Sequence, residues 1–127
     1  MNNPYASYKT QSIATMTQGE MINALFEGLQ KNLNFAMAHM DHQDYAKTHT
    51  CLMKSQDILQ YFISTLNPAM PISQNLLAMY EFFINQIVDA NVKKEKKFLE
   101  DILPMIDELK ETFVQADRLS RSATLQK

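Results

Sequence analysis

Three histidines, His39, His42 and His49, fall close together with Asp41 and Asp44, and the chain's single cysteine, Cys51, follows them. Imidazole and carboxylate are the usual ligands of zinc and other first-row metals, so this is where metal chemistry would sit. A di-iron site in a helical bundle requires, on two helices, a glutamate with histidine three residues later, which puts both ligands on one inward face. No glutamate in this chain is followed by histidine at that spacing. Phosphotransfer through histidine uses an exposed helical His followed three residues later by Lys and then Gly. Here His39 is followed by His42, His42 by Tyr45 and His49 by Leu52. Cys51 lies in an apolar helical pattern and reads as a small core hydrophobe rather than a nucleophile. Glycine-rich phosphate loops, nucleophile elbows and zinc motifs do not occur in the sequence. The expectation is a protein without catalytic residues, metal or cofactor, acting by binding another protein.

The composition agrees. The 127 residues suffice for one domain with one sizeable core, and 46% are apolar. Two glycines, Gly19 and Gly28, cannot supply the tight turns of an all-β fold, whereas long helices need almost none. A net charge of −2 gives no bulk attraction to nucleic acid or anionic lipid, and no basic stripe with interleaved aromatics occurs. No run approaches the roughly 20 apolar residues of a membrane span. The N-terminal residues carry no cleavable signal pattern and the lone cysteine suits a reducing compartment, so the expected location is the cytoplasm, without membrane insertion. Charge is uneven. Residues 1–40 carry four charged side chains, Lys9, Glu20, Glu27 and Lys31, and residues 91–127 carry fifteen, including the run Lys93 to Lys97. That run reads as a solvated turn and helix start.

Four periodic stretches predict four helices. Thr17 and Glu20 have the spacing of a capping box, and Ile22, Phe26, Leu29, Leu33, Ala36 and Met40 follow at threes and fours. Asp44 caps the second, which carries Tyr45, Thr48, Leu52, Ser55, Leu59, Phe62 and Leu66 before Pro68 ends it. Ser73 is the expected cap of the third, with Leu76, Tyr80, Phe83, Ile87 and Ala90 as its seam and Asn91 as its end. The fourth carries Leu99, Ile102, Ile106, Leu109, Phe113 and Ala116, in phase across Pro104, which implies one kinked helix and not two. Such helices with short connections fold most simply as an all-α, antiparallel up-down-up-down four-helix bundle. The expected boundaries are an N-terminal arm over 1–16, the bundle over 17–119 and a flexible tail over 120–127.

The third helix does not fit as a plain bundle helix. Besides its seam it carries Leu77, Met79, Phe82, Ile84 and Val88, which point to its flanks. Such a helix either has these residues tucked beneath neighbours or presents an apolar groove to another helix. Nine methionines point the same way, because Met adapts to apolar partners as readily as it fills gaps in a core.

With the helices placed, local motifs become recognisable. Asn3-Pro4-Tyr5, Tyr8 and Ser12-Ile13 are similar to the N-terminal arm of the FliS family, the flagellin-specific secretion chaperones. Thr17-Gln18-Gly19-Glu20 resembles its helix start, with Gln18 in place of proline, and Leu25-Phe26-Glu27-Gly28 its L-Y-D-G. Ser55-Gln56-Asp57-Ile58 with Ser64-Thr65-Leu66-Asn67 resembles its helix-two pattern. Asn75-Leu76, Met79-Tyr80-Glu81-Phe82 and Asp89-Ala90-Asn91 resemble N-L, L-Y-E-Y and E-A-N. Leu109 to Phe113 resembles L-R-D-T-W with Phe for Trp. The resemblance runs in order from Asn3 to Asp117.

It implies a bundle that binds the disordered C-terminal segment of flagellin as helices in apolar grooves, without nucleotide, and presents it to the flagellar export gate. In the family the arm can fold over the bundle, so Tyr5 and Tyr8 become candidates for a plug. The candidate partner-binding residues are Tyr5 and Tyr8 on the arm, Ile58 and Phe62 on the second helix, and Leu77, Tyr80, Ile84, Val88 and Asn91 on the third. The alternative is a structural bundle that self-associates through the third helix, and a weak homodimer in the absence of client is compatible with either reading.

Overall fold

A computed structural model describes the backbone of residues 16–125 and the side chains of residues 16–121. The arm, with Tyr5 and Tyr8, lies outside the described residues. Four helices follow one another: α1 (Gln18–Asp41), α2 (Tyr45–Ser64), α3 (Ser73–Lys93) and α4 (Lys97–Leu125). Strands do not occur among the described residues. Each helix packs on its two neighbours in a ring, α1 on α2 and α4, and α3 on α2 and α4. This is the antiparallel bundle that the four stripes imply.

The start of α1 is fixed by a reciprocal cap. Thr17 Oγ1 accepts from the Glu20 N–H at 3.1 Å, and Glu20 Oε1 accepts from the Thr17 N–H at 3.1 Å. Those two bonds hold the Glu20 carboxyl below its usual range. Asp44 caps α2 by accepting from the Lys47 N–H at 3.2 Å.

The start of α3 differs from expectation. Ile72 is the capping residue and makes no side-chain cap bond, while Ser73 is the first helical residue, buried, with its hydroxyl donating to the Asn67 carbonyl. Ile72 already has helical φ and ψ, so Ser73 is drawn into the first turn and ties the α2–α3 connection instead of capping. The end of α3 also differs: the helix runs past Asn91 to Lys93 and stops where Lys94 turns left-handed, φ 53°. The lysine run therefore forms the α3–α4 turn. Lys96 in that turn pairs with Asp41 at 2.8 Å, which raises the lysine's pKa.

One helix passes through Pro104, and the carbonyl that proline deprives of a partner belongs to exposed Glu100, where water can satisfy it. That helix also continues to Leu125, beyond the expected boundary at 119. No glycine or proline interrupts 117–125, and the i,i+4 pair Arg121–Asp117 at 2.5 Å supports the added turns.

The seams bury as the periodicity requires. Leu25, Leu29, Leu33, Leu52, Leu59, Phe83, Ile87, Leu99, Ile102 and Ile106 are all fully buried. Tyr45, the first residue of α2, and Ala116 depart from this and are exposed. The small polar residues of the α2 seam satisfy themselves. The Thr48 hydroxyl donates to the Asp44 carbonyl and the Ser55 hydroxyl to the Cys51 carbonyl, each at 2.9 Å. One aromatic layer joins all four helices: Phe26 on α1 lies 4.7 Å from Phe62 on α2 and 5.5 Å from Phe113 on α4, and Phe62 lies 5.6 Å from Tyr80 on α3.

Two substitutions probe this reading by denaturant unfolding. Thr17→Ala should cost about 1 kcal/mol by freeing the cap of α1. Phe83→Ala, at a fully buried seam position, should cost about 3–5 kcal/mol.

Candidate functional site

The site is built between α2 and α3. Its closed end is a polar bridge in which the Asn91 amide nitrogen donates to His49 Nδ1 at 2.8 Å, while the Asn91 amide oxygen accepts from the Lys94 ammonium. The bridge shows which way the two helices face each other. At 100° per residue, Leu77, Ile84 and Val88 lie within about 60° of the Asn91 direction, so all three share the flank of α3 turned toward α2. On α2, Met53, Gln56, Gln60 and Ile63 lie within about 40° of His49 and form the opposing wall. Val88 and Met53 are each 40% exposed; Leu77, Ile84 and Ile63 are half-buried, and Ile63 and Ile84 also pack against the core. Together the two flanks form a trough-like face about three helical turns long, apolar on the α3 side and half polar on the α2 side.

The candidate residues divide under this geometry. Leu77, Ile84, Val88 and Asn91 are brought together along one flank, with Asn91 engaged in closing the end. Ile58, Phe62 and Tyr80 are not part of the trough. Tyr80 and Phe62 belong to the aromatic layer and are 2% and 4% exposed. Ile58, also buried, lies nine residues from His49, about 180° around α2, and so faces α1. All three are buried in the bundle, and Phe62 and Tyr80 reach the surface only as the floor of the cavity at the end where α1 begins. Met79 and Phe82 sit on the opposite flank of α3, toward α4. The α2 wall was missed in the sequence. Its signal was a second, weaker stripe, Met53, Gln56, Gln60 and Ile63, at the same threes and fours as the main seam but half polar.

The end of the bundle where α1 begins is less tightly closed than the other. A cavity of about 360 Å³ opens there, floored by Phe62, Tyr80 and Phe113 and walled by Ile22, Leu66 and Leu76. This explains why the seam residues Ile22, Leu66, Leu76 and Phe113 are only half-buried. Beside it, α4 crosses α1 closely: a Cβ added at Gly19 would lie 2.2 Å from the Asp117 carboxylate, so glycine there permits the approach.

Chemistry is sparse. Among the described residues no group of three or more His, Cys, Asp and Glu comes together as a metal site. Half-burial raises the pKa of the Cys51 thiol, which disfavours its thiolate. Among the described residues no helix is long and apolar enough to cross a membrane.

Comparison with known proteins gives two matches. The family model described as flagellar protein FliS matches residues 1–120. The flagellar secretion chaperone FliS of Bacillus subtilis (strain 168) is 28% identical over 121 residues, which cover 95% of this chain and 91% of that relative.

Burial pushes the Tyr80 phenol up to about 12 from an ordinary value of 10. The unfolded phenol loses its proton first, so between these values the folded state holds more protons and stability falls as pH rises. The decline amounts to about 2–3 kcal/mol across the window. Melting temperatures compared from pH 9 upward should show Tyr80→Phe losing that part of the alkaline decline.

Proposed function

The chain belongs to the FliS family, and on that premise we propose that it is a flagellar secretion chaperone, which holds the disordered C-terminal segment of flagellin and passes it to the flagellar export gate. The observation that carries this reading is the trough between α2 and α3. Its apolar side chains, Val88 and Met53 above all, remain exposed in a bundle whose own core is complete without them. An amphipathic segment laid in such a trough buries the face with which it would otherwise pack against other flagellin subunits, so premature polymerisation is blocked. Because the segment folds as it binds, part of the contact energy goes into ordering it, which leaves the complex reversible when export begins.

Nothing in this action calls for catalysis, nucleotide or metal; it is a binding equilibrium, and the cytoplasm, where flagellin is made, is its proposed place. The boundaries proposed with it are an arm over 1–16, carrying Tyr5 and Tyr8 as a plug the client displaces, a bundle over 17–119 and a tail over 120–127, into which α4 runs as far as Leu125.

Titration calorimetry and circular dichroism test the reading directly. A C-terminal flagellin peptide should bind one-to-one with a gain of helix signal. Absence of binding at micromolar concentration would remove the chaperone reading, and a tight dimer unaffected by flagellin would favour self-association instead. Val88→Lys should weaken the complex at least tenfold, about 1.4 kcal/mol, with little change in melting temperature. Ile84→Lys should lower the melting temperature as well, since Ile84 also packs on the core.

A further inference from the structure

The bridge between α2 and α3 admits only one placement of its hydrogens. Asn91 meets two partners, His49 Nδ1 at 2.8 Å and the Lys94 ammonium. An ammonium has protons and no lone pair, so Lys94 must meet the amide oxygen. The amide nitrogen is left for His49, and its protons need an acceptor. Nδ1 accepts only in a neutral imidazole whose proton sits on Nε2. An imidazolium carries a proton on each nitrogen and would set one N–H against another. Turning the amide over does not help, because its nitrogen would then face Lys94. With His49 protonated, either orientation of Asn91 loses one of the two bonds.

The surroundings supply no carboxylate to compensate. Asp44, at the start of α2, caps that helix and pairs with Lys47. Asp41 at the end of α1 pairs with Lys96, and Glu95 in the α3–α4 turn pairs with Lys97. Asp89 lies about 160° around α3 from Asn91. Tyr45, one turn before His49 on α2, and His42, which follows α1, bring no negative charge. The charge nearest the bridge is Lys94, which repels an imidazolium. His49 is exposed, so protons reach it freely.

We propose that His49 is a positioning residue that clasps α2 to α3 only while its imidazole is neutral, so that this end of the bundle loosens in acid. Histidine changes charge between about pH 5 and 8. The folded state disfavours the protonated ring, so the stability the clasp adds is complete above that range and lost as pH falls through it. Leu77, Ile84 and Val88 share the flank of Asn91, so the clasp also holds the α3 wall offered to a client, a consequence that rests on the chaperone reading.

Imidazole nitrogen NMR and thermal melting of the full chain provide the test. At about pH 8 His49 should carry its proton on Nε2 in the wild type. In Asn91→Asp, whose carboxylate accepts from Lys94 and from an Nδ1–H alike, the proton should move to Nδ1. In His49→Asn an amide oxygen takes the place of Nδ1 and accepts at every pH. Between about pH 8 and 5.5 the wild type should lose a few degrees of melting temperature more than His49→Asn. Asn91→Asp should lose less than His49→Asn, since an imidazolium is the stronger donor to a carboxylate. His39 and His42 titrate in all three proteins and cancel. A proton on Nδ1 in the wild type, equal losses in the wild type and His49→Asn, or a loss in Asn91→Asp matching the wild type would overturn the proposal. With the C-terminal flagellin peptide, affinity should fall more steeply in acid for the wild type than for His49→Asn. Equal falls would overturn the clasp's reach to the client. A peptide that binds at neither pH would sink the chaperone reading, while NMR and melting still decide the clasp.

Discussion

One ring from each helix meets in a single layer, Phe26 against Phe62 and Phe113, and Phe62 against Tyr80. Aromatic side chains bury large areas and prefer tilted or offset contacts, so this layer fixes the rotation of each helix about its own axis as well as the distance between them. Rotation also decides which flanks of neighbouring helices lie side by side. A helix turned by one residue, about 100°, would carry Val88 and Leu77 away from α2 and leave the trough without one of its walls. The buried layers beyond it, Leu29, Leu59, Phe83 and Ile106 among them, add stability to an arrangement that the aromatic layer orients.

The ends of the bundle are built differently. At the end near Lys94, polar ties do the closing: Asn91 to His49, Lys96 to Asp41, and the left-handed turns at Gln43 and Lys94 that keep two of the connections short. At the other end the α2–α3 connection is longer, stabilised by Asn67 accepting from the Ala69 N–H at 3.0 Å and from the Ser73 hydroxyl, and it stands over an apolar cavity. The two ends therefore differ in kind: polar ties hold α2 against α3 at one, and apolar side chains line a cavity at the other.

The apolar surplus of α3 is the point at which folding and binding separate. Leu76, Tyr80, Phe83, Ile87 and Ala90 supply the stripe the core needs, and a stable domain would result with polar residues everywhere else on that helix. Leu77 and Val88 lie outside that stripe, and so does Phe82 on the opposite flank. Surface of this kind carries an aggregation risk. Its presence beside a complete core is the physical ground for reading the α2 side as a site for a partner.

The periodicity of the chain by itself determined the four helices, the antiparallel bundle, the seam of each helix and the caps at Thr17 and Asp44, because threes-and-fours spacing and the capping box are local consequences of helix geometry. It also showed that α3 had apolar residues to spare. What it left undecided was which neighbour each flank faces. Ile58, Phe62 and Tyr80 look as suitable for a partner as Leu77 and Val88 when only spacing is considered, and Ser73 has the chemistry of a cap. Packing separated them: the aromatic layer took Phe62 and Tyr80, the α1 side took Ile58, and the α2–α3 connection took the Ser73 hydroxyl. The wall on α2 was equally hidden, since Met53, Gln56, Gln60 and Ile63 acquire meaning only once the His49–Asn91 bridge turns them toward α3. Helix formation is dictated by neighbours in sequence, while the environment of a flank is dictated by residues dozens of positions away, and only the folded bundle brings those together.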